Sequence, residues 1–336
     1  MSPSGVALVA RQEFRMRLRT GRWRWLLGAW VLVIGGFTML LDLSLETGYA
    51  FGDSVRAEGV PLFGFLMLFV LGMVLVVSPA LTSQSINGDR ERGTLATLQV
   101  TRLGAVEITL GKLLAGWGVG LVALALTLPF AGYAIGRGGV TIDRVAAVYA
   151  VVAILVGVVC AVSQALSALL ARSITSALLS YLTVAALTVG TFILLALVAP
   201  LITEQRTSTT PDGIPYTYEV VREDRVWWLI APNPFVVVAD SSPHVAPRVT
   251  SAGDVIMVDD YDPLSAIARE VRMLRLPPSD GQDYYNEQNR VFRDNSLAVW
   301  PYGLAFNVLL GLGAVAVSVA RLRTPSRRVA RGVRIA

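Results

Sequence analysis

The chain is poor in the residues from which most enzyme sites are built. It has one cysteine, Cys160, one histidine, His244, and a single lysine, Lys112, among 29 basic residues. One thiol excludes an internal disulfide, and one thiol with one imidazole excludes a His/Cys zinc constellation. No Ser-His-Asp site can be assembled within the apolar runs, because His244 lies outside all of them. The phosphate-binding pattern G-x-x-x-x-G-K-[ST] is absent too: the only Gly-Lys is Gly111-Lys112, followed by Leu113. Charge is also scarce, at 16% of residues, where soluble domains carry about 25%.

What is abundant is apolar sequence, 54% of the chain, gathered into blocks. A helix needs about 20 consecutive apolar residues to cross ~30 Å of hydrocarbon. Six blocks satisfy this, at roughly Trp23 to Ser44, Pro61 to Gln84, Leu110 to Ile135, Val145 to Ala171, Thr175 to Leu201 and Ala298 to Ala320. The first is too long for the apolar region of a cleaved signal peptide and is expected to remain as an anchor. Arginines set the orientation, since basic residues in short flanking loops favour the cytoplasmic side. Fifteen arginines flank the ends that would share a side with both termini, against three (Arg56, Arg137 and Arg144) in the opposite short loops, so both termini are expected in the cytoplasm. The residues 202–297 then lie outside, with nine arginines against fifteen acidic residues. The near absence of lysine is the composition of a GC-rich bacterial genome, which places the chain in a bacterial plasma membrane.

The expected fold is therefore an all-α integral membrane protein with six transmembrane helices and a mixed α/β extracytoplasmic insertion between the fifth and sixth. Residues 1–22 form an amphipathic helix ahead of the first span, with Val6, Ala7, Ala10, Phe14 and Leu18 on one side and Arg11, Arg15, Arg19 and Arg22 on another. Such a helix lies at the inner interface, apolar side down, where its arginines meet anionic lipid headgroups. Nucleic acid is not an expected partner, because the arginines are pinned beside spans without a recognition motif. Gly and Ala in spans three to five read as close-packing positions, and Pro79 and Pro129 as kinks. In the insertion, Pro211-Asp212-Gly213 ahead of the alternating run Tyr216 to Val221 predicts a β-hairpin. Leu264, Ile267, Ala268, Val271 and Leu274 predict a helix opened near Pro263 and stopped by Pro277-Pro278, packing on the hairpin or the membrane surface. The stretch Val226 to Ala239 is too short to span, contains two prolines and reads as interfacial or re-entrant.

The most informative segment joins spans two and three, residues 85–109. Asn87-Gly88-Asp89 is a polar turn able to cap a helix, followed by the charged Arg90, Glu91 and Arg92 and then by Thr94, Leu95 and Leu98 on a short helix. Such a hairpin offers charge and a small apolar knob to a partner. Here the chain resembles the permease subunits of ABC-2 type transporters, in which Glu-Arg-Gly-Thr-Leu-x-x-Leu, a basic or Pro-containing turn and a Gly-Lys-Leu entry form a coupling helix. Glu91, Arg92, Gly93, Thr94, Leu95, Leu98, Gly111, Lys112 and Leu113 match it; Thr101-Arg102-Leu103 departs from the Thr-Pro-Leu of many members. Asn233-Pro234-Phe235 is similar to an Asn-Pro-hydrophobic element that many members carry after span five, though here it follows about 30 residues later.

The resemblance implies a transporter subunit rather than an enzyme, with no cofactor of its own and ATP and magnesium on a separate ATPase chain. It implies contact with that ATPase through Asp89, Arg90, Glu91, Arg92, Gly93, Thr94, Leu95 and Leu98, with Glu91 central, and a second permease chain as homodimer or heterodimer. So apolar a path suits export of hydrophobic or amphipathic cargo. The rival reading is a membrane-anchored receptor or assembly protein acting through its 202–297 domain. An ion-driven transporter would show paired broken helices with polar ligands at mid-membrane, and the sequence shows none.

Overall fold

The structure, a computed structural model, describes residues 2–19, 22–48, 58–93, 103–210, 212–245, 248–249, 255–256, 261–278, 290–291 and 296–323. Six helical segments in it are long and apolar enough to cross a membrane: Trp25–Glu46, Gly59–Glu91, Ala105–Gly136, Ile142–Leu169, Ser173–Leu201 and Trp300–Leu322. Each contains most of one expected block. In chain order the elements are α1 (Pro3–Arg19), α2 (Arg22–Gly48, span one), α3 (Gly59–Thr82, span two) and α4 (Asn87–Glu91). Span three follows as α5 (Ala105–Ala125) and α6 (Leu128–Arg137), span four as α7 (Ile142–Leu169) and span five as α8 (Ser173–Ala185), a π-helical turn (Ala186–Gly190) and α9 (Thr191–Val198). The insertion holds β1 (Thr203–Thr209), β2 (Pro215–Val221), α10 (Pro234–Asp240), β3 (Arg248–Val249), β4 (Val255–Ile256) and α11 (Pro263–Met273) ahead of α12 (Trp300–Leu322, span six).

Span two is the hub. Leu62, Phe63, Leu66, Met67, Val70 and Leu71 are fully buried, and Val148, Val152 and Leu155 of span four pack into the same core. Spans one and five lie at the periphery, with only 17% and 11% of their apolar windows buried against 61% for span two. Of the two expected kinks only Pro129 interrupts its helix, at the α5–α6 junction; α3 runs on through Pro79.

The α1 helix packs along α5. Val6 and Val9 are buried there, and α1 comes so close that a Cβ on Gly111 would lie 2.5 Å from Val9 Cβ. The outward side of α1 carries Leu8, Arg11, Met16 and Arg15.

In the insertion, β1 and β2 form the expected antiparallel hairpin, Thr203 opposite Val221 and Thr209 opposite Pro215. The helix α11 starts at Pro263, its N-cap Asp262 accepting from Leu264 N and Ser265 N. It packs against α10 and the start of α3 instead of the hairpin. At Gly64 of span two an added Cβ would lie 2.4 Å from Asp262 Oδ1.

Candidate functional site

Two polar clusters sit at opposite ends of the bundle, the loop end, where residues 83–104 join spans two and three, and the insertion end. At the loop end the chain leaves α3, turns through residues 83–86 and makes the single-turn α4, which closes at Gly93 with φ +70°. A helix this short leaves most of its backbone groups unpaired, and neighbouring spans supply the partners. Ser167 near the end of span four accepts from Ile86 N and Asn87 N at 3.0 and 3.1 Å and donates to Asn87 Oδ1 at 2.8 Å. Arg90 donates to Ala168 O at 3.2 Å, satisfying one of the last carbonyls of span four, and Ser176 of span five donates to Ser83 O at 2.7 Å.

Glu91 faces the start of span five. Its Oε1 accepts from Ser173 N at 3.1 Å and Ser173 Oγ at 2.8 Å, a carboxylate at the positive end of α8. Asp89 points the other way, onto Lys112 Nζ at 2.5 Å, and Arg92 reaches Asp89 at 3.0 Å. Lys112 is also ion-paired with Glu13 of α1 and is only 2% exposed. The chain's one lysine is thus the meeting point of α1, α4 and span three, turned inward rather than toward an interface. Nearby, Glu107 closes the start of α5, accepting from Gly104 N at 2.9 Å and from Ser2 N at 2.5 Å.

Of the expected partner-contact residues, Asp89, Arg90, Glu91, Arg92 and Gly93 come together here, whereas Thr94, Leu95 and Leu98 lie outside the described residues. In α1, Arg11 and Arg15 are exposed and Phe14 is half-buried beside α5, while Arg19 ends α1 and Arg22 begins α2. Sequence reasoning missed Glu13, Ser167 and Ser173. Glu13 carried a signal, as the one acidic residue of a helix otherwise rich in arginine; the two serines carried none.

The insertion end is built from charges taken fully out of water. Arg144, at the start of span four, pairs with Asp262, the cap of α11, at 1% and 0% exposure. Asp240 accepts from Arg272 Nε at 2.5 Å and from Val299 N and Trp300 N at 2.6 and 2.7 Å, so it caps span six. Asn233 donates to Thr188 O at 2.7 Å and Thr191 Oγ1 at 2.9 Å, groups of the π turn and of the residue after it. Asn307 of span six holds Pro232 O at 2.9 Å, and Gly303 admits the backbone of Ala231, whose oxygen would lie 1.9 Å from a Cβ there. Thr191 lies ten residues before Leu201, about 15 Å along a helix. The 226–240 stretch therefore dips beside span five and is buried in protein, the setting in which irregular backbone is tolerated at membrane depth. Asp42, in span one, is met by Arg137 at 3.0 Å and Tyr133 at 2.7 Å. Beyond the spans, the Arg222 guanidinium holds the Asp224 carboxyl below the usual carboxylate range, and Asp224 in turn raises Arg222. Among the described residues no three His, Cys, Asp or Glu side chains gather as a metal site.

Six spans, buried charge confined to their ends and helix termini laced to a short loop define a multi-pass membrane protein. The profile of the ABC-2 family transporter proteins matches residues 7–259, three quarters of the chain. The chain belongs to that family and is a permease component. No curated protein matches it.

Proposed function

We propose that the chain is the permease subunit of an ATP-driven exporter, forming the membrane path for a hydrophobic or amphipathic substrate. A separate ATPase subunit docks at the 89–98 loop, and the loop end faces the cytoplasm of a bacterium. The observation that carries this reading is the lacing of residues 83–93 to Ser167 and Ala168 of span four, Ser173 and Ser176 of span five, Lys112 of span three and, through Lys112, Glu13 of α1. A push on so short a segment reaches four elements at once. A second chain completes the path, and spans one and five, the least buried in this chain, are the surfaces free to meet it.

The test is to purify the tagged chain in mild detergent and assay the ATPase that accompanies it, comparing Glu91→Arg with Ser173→Ala. The reading expects Glu91→Arg to release or uncouple the ATPase, while Ser173→Ala, which removes the hydroxyl that Glu91 meets but leaves the loop charge intact, retains it. If no ATPase accompanies the natural chain, or if both variants behave alike, the docking assignment fails.

A further inference from the structure

One cavity stands apart from both polar clusters. Between spans three, four and six runs a groove of about 420 Å³ whose walls include Leu114, Trp117, Ile154, Val158, Leu312 and Val315. Leu114, Ile154 and Leu312 are exposed, so the groove opens sideways, toward hydrocarbon in a bilayer. Its depth comes from two glycines: a Cβ on Gly311 would lie 3.2 Å from Val158, and one on Gly157 would lie 3.3 Å from the Trp117 indole nitrogen. The indole is fixed in place by its bond to Ala153 O at 2.8 Å.

Along span six the wall continues toward the loop end as one helical stripe, Val308, Leu312, Val315, Val319 and Arg323, each three or four residues from the last. Arg323 is exposed, and its guanidinium has no ion-pair partner among the described residues. It lies eight residues past Val315, about 12 Å further along the helix. An apolar slot with an exposed cation about 12 Å beyond its end, unpaired among the described residues, is complementary to one kind of neighbour, an amphiphile with a long apolar tail and an anionic head.

We propose that this groove is a binding site for an anionic phospholipid, with one acyl chain against Trp117 and Val158 and the headgroup phosphate on Arg323. A zwitterionic lipid fills the slot but brings no net charge to the arginine. A second protein chain would have to bring both a narrow apolar ridge and an acid in register. The proposal depends on the membrane placement of spans three, four and six and not on the transport reading, so either can fail without the other.

The experiment reconstitutes the full chain, with any ATPase that accompanies it, into bilayers of phosphatidylcholine with a known fraction of phosphatidylglycerol. After extraction into mild detergent and washing, the lipid retained per chain is measured by mass spectrometry. The natural chain is expected to hold phosphatidylglycerol enriched about fivefold over its bulk ratio, the factor that ~1 kcal/mol per basic residue near an anionic surface corresponds to. Arg323→Gln, which leaves the packing untouched, removes the enrichment but keeps the total lipid. Val315→Trp, which fills the slot, lowers the total itself, while Arg225→Gln, at an exposed arginine of the insertion beyond the spans, changes neither. The proposal is overturned if Arg323→Gln keeps the enrichment. It is equally overturned if Val315→Trp leaves the lipid unchanged and instead separates two copies of the chain or slows turnover, which would make the occupant a second copy or cargo.

Discussion

The two ends of the bundle solve the same problem, satisfying the termini of membrane helices, by opposite means. At the insertion end two ion pairs are wholly buried, Arg144 with Asp262 and Arg272 with Asp240, all at 2% exposure or less, beside the more exposed Arg137 cluster with Asp42, Glu46 and Glu58. At the loop end the partners are graded, from Lys112 at 2% through Asp89 at 12% and Glu13 at 16% to Arg92 at 65%. Separating a buried pair strands a charge away from water, whereas the 65% exposed Arg92 gives way to hydration at small cost. The insertion end is therefore tied by the deeper pairs, and the loop end loosens outward from Lys112 to Arg92. The proposed docking of an ATPase on the loop alone calls for that asymmetry.

The comparison breaks most easily at Asp240. Its carboxylate serves Arg272 and two backbone amides at the start of span six, so Asp240→Ala strands a buried guanidinium and two donors together. A loss of about 3 to 5 kcal/mol is expected, seen as a large drop in the thermal midpoint of the detergent-solubilised chain. Lys112→Met comes next, leaving Asp89 and Glu13 facing each other, with a loss at the lower end of the same range, about 3 kcal/mol, since both carboxylates retain some water. Lys112→Arg should recover part of it. If Lys112→Met proves as costly as Asp240→Ala, the loop end is as rigid as the other and the asymmetry is wrong.

The long-range features of the fold were legible because they are written in runs. The spans announce themselves by unbroken apolar length, the hairpin by Pro211-Asp212-Gly213, and α11 by the helical spacing of Leu264 to Leu274 behind Pro263. What escaped are contacts between distant residues. Lys112 near a span end is equally compatible with snorkelling outward and with pairing inward, and only the positions of Glu13 and Asp89, set by tertiary packing, decide it. Glu91 was legible as a charged loop residue, but the Ser173 it bonds is 82 residues away. Asn233 was legible as part of a non-spanning element, while the carbonyl it needs, Thr188 O, is made available by a π turn that leaves no periodic trace. The amphipathicity of α1 was legible, while the protein surface that Val6 and Val9 meet, on α5 at Gly111, is a contact amphipathicity alone does not encode.

Smaller effects sharpen the comparison. Glu91→Gln keeps the acceptor and removes the charge at the start of α8, so the thermal midpoint should hardly move. Amide exchange at Ser173 and the residues after it should quicken; unchanged exchange would mean that the charge contributes nothing there.

The last test concerns the insertion beyond the spans. Asp224 is held below its ordinary range first by its hydrogen bond with Arg222, whose Nη2 lies 2.7 Å from Asp224 Oδ2. A carboxyl depressed in the folded state contributes stability that is present above its unfolded value, about pH 4, and is lost as pH falls through the folded value. Arg222 N also bonds Ile202 O and its side chain pairs with Glu204, so this charge cluster closes the base of the β1–β2 hairpin. Acidification below about pH 4 should therefore loosen the hairpin before the spans, read as proteolysis between residues 203 and 221 while helical circular dichroism holds. Arg222→Gln should raise cleavage at neutral pH and flatten its dependence on acid. A hairpin whose cleavage follows pH identically with and without Arg222 would show that the base is held by Val221 packing against Ala199 and Val226 instead of by charge.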